Sequence, residues 1–250
     1  MRLSLDEVRK LQQKKYRNEF GWFVAEGEHL VLELQKAALH KAPLRASELY
    51  VTPAFADWES PMRKHVITAK QMSQICDTHT PQGIVALIPQ AAVQQGWAEH
   101  PAHEKAIYLH EIQDPGNLGT ILRTLAWFGG LRCLLGPNSV DPFNPKTVRA
   151  SMGALFHVPI EQDVPLESLP LNYAQLACLD MQGEGLATPA FRDSTCLIFG
   201  NEARGVPRAQ TAALGARAFM IPGSGAIESL NLAAVVNMCA YELHRPLNCQ

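Results

Sequence analysis

Two patterns of apolar and polar positions follow one another along the chain. In the first ninety residues the apolar groups are short and broken by polar ones. Leu3, Val8 and Leu11, with Gln12, fall at helical spacing and predict an amphipathic helix that carries Arg9, Lys10, Lys14, Lys15 and Arg17 outward. FVAEG reads as a short strand ending in a turn, and residues 28–38 as a helix built from strong helix formers. The β-branched runs ELYVTP, HVITA and GIVALIP, bounded by turn residues, predict strands. Residues 1–90 therefore read as a small α/β unit. The stretch PQAAVQQGWAEHPAHEK (89–105) is polar and without apolar period, and a linker is expected over 91–105.

After the linker the pattern changes. AIYLHEI, LRCLLG, YAQLACLD, CLIFG and RAFMIPG are near-continuous apolar runs, as expected of parallel strands covered on both faces. Helix-like segments at 118–128, 145–156 and 230–243 lie between or after them. Strands alternating with helices predict a parallel α/β sheet over 106–250.

Composition narrows the classes. A chain of 250 residues with 47% apolar and 18% charged residues can bury a core without a disulfide or metal staple. Lys plus Arg total 22 against 24 Asp plus Glu, so any polyanion must meet a local basic face, not a uniformly basic coat. The first twenty residues hold six basic against three acidic side chains. No apolar run is long enough for a membrane helix, and MRLSLDEVRK shows no secretory apolar region. The six cysteines are scattered and mostly lie in apolar runs, which predicts reduced, buried thiols in a cytoplasmic protein. No metal site is expected; His100 and His103 are close in sequence but lack cysteine companions.

Three polar, glycine-rich loops each follow an apolar strand: HEIQDPGNLGTILRT, FGNEARGVP and IPGSGAIESLNLAA. In open parallel sheets ligands bind beyond the carboxyl ends of the strands, so the three loops predict one shared pocket. Dinucleotide, P-loop, nucleophile-elbow and zinc-protease fingerprints are all missing.

DPGNLGTILRTLAWFGG, LIFGNEARGVP and IPGSGAIESLNLAAVVNMCAYEL, in that order, resemble the three motifs of the SpoU-type (TrmH-like) branch of the SPOUT RNA methyltransferases. RASMGALFHVPI fits the segment between the first two. KKYRNEFGWFVAEGEHLVLE is similar to the L30e-like substrate-binding domain attached to many of these enzymes. The resemblance implies a SPOUT sheet with a C-terminal trefoil knot, a homodimer built on the C-terminal domain, and S-adenosylmethionine as cofactor. The implied reaction is 2′-O-ribose methylation of RNA, with ribosomal RNA of the 23S type favoured. A transfer-RNA substrate, or a non-catalytic RNA-binding or ribosome-assembly role, is the alternative.

By the same resemblance the functional positions are Asn117, Arg123, Glu202, Ser229 and Asn231, with Gly200, Ile221 and Leu230 enclosing the cofactor. The chemistry is consistent with these residue types. Arg123 can grip a phosphate bidentately, although a guanidinium is a poor proton acceptor. Glu202 can fix Arg123 or the nucleotide. Ser229 reads as the N-cap of the last helix, and Asn231 as a donor and acceptor at that helix start. The last helix is apolar nearly all round, as a dimer seam would be. RNA contact is expected at Arg9, Lys10, Lys14, Lys15 and Arg17.

Overall fold

A computed structural model of the chain describes residues 3–95, 105–227 and 229–245. They form two compact units, residues 3–95 with Asp141–His157, and residues 105–140 with 158–245. The N-terminal unit therefore includes a segment that the sequence pattern assigns to the C-terminal half.

In the first unit, α1 (Leu5–Lys10) opens with a capping box between Ser4 and Glu7, and α2 (Lys14–Phe20) ends at Gly21 in the left-handed conformation. The single basic helix expected here is thus two short ones. The sheet runs β1-β4-β2-β3, formed by β1 (Trp22–Glu26), β2 (Glu48–Val51), β3 (Arg63–Val66) and β4 (Ile84–Pro89); only the β2–β3 pair is parallel. Between β1 and β2 lies α3 (Glu28–His40), which turns Leu30, Val31 and Leu34 inward. The run HVITA stops being strand at Val66, because Thr68 and Gln71 form a capping box that starts α4 (Ala69–Ile75). The expected linker also begins as structure: α5 (Gln90–Gln94) buries Ala92 and Val93. The rest of that linker, including His100 and His103, lies outside the described residues apart from Gln95 and Lys105.

Arg17 is the largest departure from the sequence reading. It is 2% exposed and makes four hydrogen bonds. Its Nε and Nη2 donate to Asp141 Oδ2 (2.8 and 2.6 Å), and its Nη1 donates to the carbonyls of Leu11 and Gln12 (2.7 and 2.8 Å). Asp141 Oδ1 accepts from the Phe143 amide at 2.9 Å, and the Phe143 ring packs on Phe23. Arg17 is therefore a tie that holds Asp141–His157 in its unit, not an RNA contact. A helix over Pro145–Ser151 follows, and the chain breaks it at Met152 and Gly153, both at positive φ. The helix expected over 145–156 is cut short there.

The second unit is a six-stranded, wholly parallel sheet. Its strands are β5 (Lys105–Leu109), β6 (Leu131–Leu135), β7 (Ile160–Glu161), β8 (Leu176–Gly185), β9 (Cys196–Phe199) and β10 (Arg217–Met220), in the order β10-β8-β9-β5-β6-β7. The helices are α6 (Pro115–Phe128), then α7 (the Pro145–Ser151 helix of the first unit), α8 (Leu169–Asn172), α9 (Pro189–Arg192), α10 (Arg208–Ala213) and α11 (Leu232–His244). The central strands β5, β6 and β9 are almost wholly buried, which is why their sequences read as unbroken apolar runs. Cys76, Cys133, Cys178, Cys196 and Cys239 are buried and unpaired. Among the described residues no helix is long and apolar enough to cross a membrane, and no cluster of His, Cys, Asp or Glu could hold a metal ion.

Candidate active site

The second unit alone builds the site. Three loops leave the carboxyl ends of β5, β9 and β10 and meet. After β5 the chain turns at Glu111, at φ 52°, and enters α6. Asp114 is the N-cap and takes the Asn117 amide at 2.7 Å, with Pro115 in the first turn. The Asn117 side chain is left free to reach across. Its Nδ2 donates to Glu202 Oε1 (3.3 Å), and its Oδ1 accepts from Asn231 Nδ2 (2.9 Å). Glu202 also accepts the amides of Gln113 and Asp114 (3.2 Å each), so its carboxylate sits at the N-terminal end of α6, where negative charge is favoured. Asn231 Oδ1 accepts from Ala233 and Ala234 and so caps α11. One hydrogen-bond chain thus joins three segments, with Asn117 85 positions from Glu202 and 114 from Asn231.

The loop after β9 is shaped by close backbone approach. Asn201 and Gly205 exchange backbone hydrogen bonds, and Asn201 Oδ1 accepts the amides of Ala203 and Arg204. A Cβ at Gly200 would lie 2.0 Å from the Gly205 carbonyl carbon, so no other residue fits at 200 without moving the loop. Asn201 Nδ2 donates to the Glu111 carbonyl, and Arg204 pairs with the Glu111 carboxylate.

Beside this chain lies a cleft of about 1170 Å³. Gly200, Ile221 and Leu230 line it, as do Asn117, Glu202, Ser229 and Asn231. Seven of the eight site residues named from sequence therefore share one cleft. The eighth, Arg123, does not line it. Arg123 is exposed on α6 and has no ion pair among the described residues. The capping role expected of Ser229 belongs to Asn231; Ser229 is exposed in the loop before it.

The structure adds a pair that the motifs do not contain. The register of β8 against β10 shifts between Ala218 and Phe219, so residues 179–183 bulge out of the sheet, and Leu179, Asp180 and Met181 reach the cleft wall. Asp180 takes two bonds of 2.6 Å from Arg208, and a further one from the Gln182 amide. Burial alone would raise the Asp180 carboxyl, but the Arg208, Gln182 and Met181 bonds outweigh it and hold the group below the usual carboxylate range. The only sequence signal is an acidic residue closing the apolar run YAQLACLD.

The cleft lining combines apolar side chains with closely approaching backbone. Ile221 and Leu230 supply apolar surface, while the glycine-bracketed turn at 200–205 lets backbone donors and acceptors come close.

Comparison with known proteins decides the family. Residues 104–241 match the model of the SpoU rRNA Methylase family. The chain belongs to that family. Residues 4–86 match the MRM3-like substrate binding domain. Among similar proteins is a 23S rRNA guanosine 2′-O-methyltransferase of Bacillus subtilis (RlmP), 31% identical, with 96% of this chain and 95% of that protein covered. Two solved structures share the whole architecture. A TrmH-family RNA methyltransferase from Porphyromonas gingivalis has a TM-score of 0.79 at 30% identity, over 98% of this chain and 99% of that one. An AdoMet-bound rRNA methyltransferase from Sinorhizobium meliloti has a TM-score of 0.79 at 27% identity, over 96% and 93%.

Proposed function

We propose that this SpoU-family chain transfers a methyl group from S-adenosylmethionine to a ribose 2′-hydroxyl of RNA, with ribosomal RNA of the 23S type as substrate. The observation that carries the reading is the Glu202–Asn117–Asn231 hydrogen-bond chain in the wall of a cleft built for close backbone contact. Gly200, Ile221 and Leu230 would hold the cofactor, whose sulfonium supplies the methyl group when bound. Asn117 and Asn231 fix the position of Glu202 and leave its carboxylate to orient an incoming hydroxyl. Arg123 holds a phosphate of the target nucleotide; the proton leaves to a phosphate oxygen or a water beside it, since a guanidinium is a donor with no acceptor lone pair to offer. Ser229 lies beside Leu230 and Asn231 and lends a hydroxyl to the same mouth.

The active form is a homodimer on this reading. α6 and α11 expose Trp127 (85%), Tyr241 (58%) and Met238 (42%), large side chains that a monomer gains nothing by leaving in water. Arg123 lies one helical turn before Trp127, so a seam on that face brings Arg123 into it. The buried free thiols fit the reducing cytoplasm, where the RNA also is. RNA is met by Arg9, Lys10, Lys14 and Lys15, all exposed in the first unit.

Incubation with labelled S-adenosylmethionine and separated ribosomal and transfer RNA tests this. Label in the ribosomal fraction, at a ribose 2′-oxygen, is expected. Label confined to transfer RNA would replace the substrate. Folded protein that neither binds the cofactor nor labels any fraction would end the reading.

A further inference from the structure

The α1–α2 corner carries a feature that its charges alone do not explain. Arg17, turned inward to Asp141, fixes the rotation of α2. Its neighbours Lys14 and Lys15 are consequently exposed, and Tyr16 is half-buried at the surface. The ammonium groups of Lys10 and Lys15 each lie 5.5 Å from the centre of the Tyr16 ring. Phe20 backs that ring, with centroids 5.9 Å apart and planes 27° from parallel, and itself packs against the core. Two of the three local acids are engaged, and the third, Glu19, is exposed on α2. Glu7 is taken by the Ser4 capping box, and Asp6 lies beside Arg9. Lys10, Lys14 and Lys15 have no carboxylate within ion-pair distance among the described residues.

Folding thus gathers lysines that have no direct ion pair among the described residues around one backed aromatic ring. Like charges repel, so the arrangement is costly until a polyanion arrives. A purely electrostatic grip needs no aromatic at its centre. Aromatic rings among lysines are what unpaired nucleotides require, since each base offers a π-face and each linkage a phosphate. A duplex keeps its bases stacked inside and has no face to offer.

We propose that Tyr16, backed by Phe20 and flanked by Lys10, Lys14 and Lys15, is a stacking platform for an unpaired nucleotide of single-stranded RNA. The platform rests on the reading of this protein as an RNA enzyme, and narrows its first unit to a preference for single strands.

Fluorescence anisotropy on the full chain tests it with three probes: an unstructured RNA of about 12 nucleotides, a fully paired RNA hairpin, and heparin, a polyanion without bases. Tyr16→Ala should weaken the single strand about 5- to 100-fold and leave the hairpin and heparin unchanged. Tyr16→Phe should restore single-strand affinity, because the ring and not the hydroxyl is used. Replacing the three lysines by glutamine should weaken all three probes and flatten the salt dependence by about 0.7 per lysine for the single strand. Tyr16→Ala binding the single strand as wild type does, or losing heparin equally, would overturn the platform. So would failure of Tyr16→Phe to rescue. Methyl transfer measured on the same samples separates the two readings. Labelling that ignores Tyr16 leaves the enzyme and removes the platform; Tyr16-dependent binding without labelling does the reverse.

Discussion

Arg17 and Arg123 each sit on a short-range amphipathic pattern, one in each unit, and folding treats them oppositely. Arg17 gives its donors to Asp141, Leu11 and Gln12 and disappears from the surface. Arg123 keeps all its donors and faces water. The same contrast runs through the acids. Asp141 in the first unit is consumed by an arginine and a backbone amide. Glu202 in the second is held in place by amides and an asparagine, with no cation bound to it among the described residues. The first unit spends this arginine and this acid on its own architecture. The second positions Glu202 and leaves it and Arg123 without an ion partner among the described residues, which is what a site for a foreign ligand needs.

The largest test of this contrast is Arg17→Met. Removing one partner strands the buried Asp141 carboxylate, and should cost about 3–5 kcal/mol of unfolding free energy. The double variant Arg17→Met with Asp141→Leu should recover most of that, since no charge is left buried. Urea unfolding reads both. If Arg17→Met leaves the midpoint in place and only weakens RNA, Arg17 is functional after all.

Arg123→Ala should behave in the opposite way. Turnover should fall about 100- to 1000-fold, the scale for losing one well-placed donor in a transition state, while cofactor affinity and the urea midpoint stay put. A fall in stability matching the fall in activity would erase the difference between the two arginines.

Asn231 stands between the two behaviours, because it both caps α11 and donates to Asn117. Asn231→Asp keeps the cap and loses the donor. Stability should be unchanged within about 0.5 kcal/mol, while kcat falls about tenfold, near the upper end for a neutral hydrogen bond. Asn231→Ala should lose both, with about 1 kcal/mol of stability. Equal activity in Asn231→Asp and wild type would make Asn231 a cap only.

Much of this is legible in the sequence, and the reasons for success and failure are physical. Buried parallel strands have water on neither face, so LRCLL and CLIF can hardly be read as anything else. The shared pocket is legible because three loops at strand ends converge in a parallel sheet, while its individual residues are legible only through the resemblance to the SpoU motifs. Arg17 is not, because periodicity cannot foresee an acid 124 positions away. A helix face looks solvated until a long-range partner claims it. Ser229 passes for a cap because Ser and Asn both suit the position, and only backbone geometry chooses between them. Asp180 stays hidden because a β-bulge, which leaves no local signature, aims it at the cleft.

The smallest effect concerns alkali, and it should also divide the units. Burial pushes the thiols of Cys133, Cys178, Cys196 and Cys239 upward in the second unit, Cys133 to about 12. A free thiol in the unfolded chain titrates near 8.5, so above about that pH the unfolded state holds fewer protons than the folded one. Stability then falls as pH rises. Burial lowers Lys105 there, which opposes the trend, while burial raises Tyr108 and adds to it, so one group stands against five. In the first unit one thiol faces one amine. Burial, with Glu26 adding to it, raises Cys76 to about 12, and burial lowers Lys41 to about 8. Lys41 acts with the other sign, because between about 8 and its unfolded value the unfolded state binds more protons and stability rises with pH. The two contributions offset one another. Urea midpoints taken between about pH 8 and 10.5 should therefore drop for the second unit, reported by Trp127, and stay nearly level for the first, reported by Trp22 and Trp58 in tryptophan-substituted variants. Cys196→Ala should shallow the first of these slopes and leave the second alone. Parallel slopes in both units would mean that the buried thiols do not govern the alkaline response.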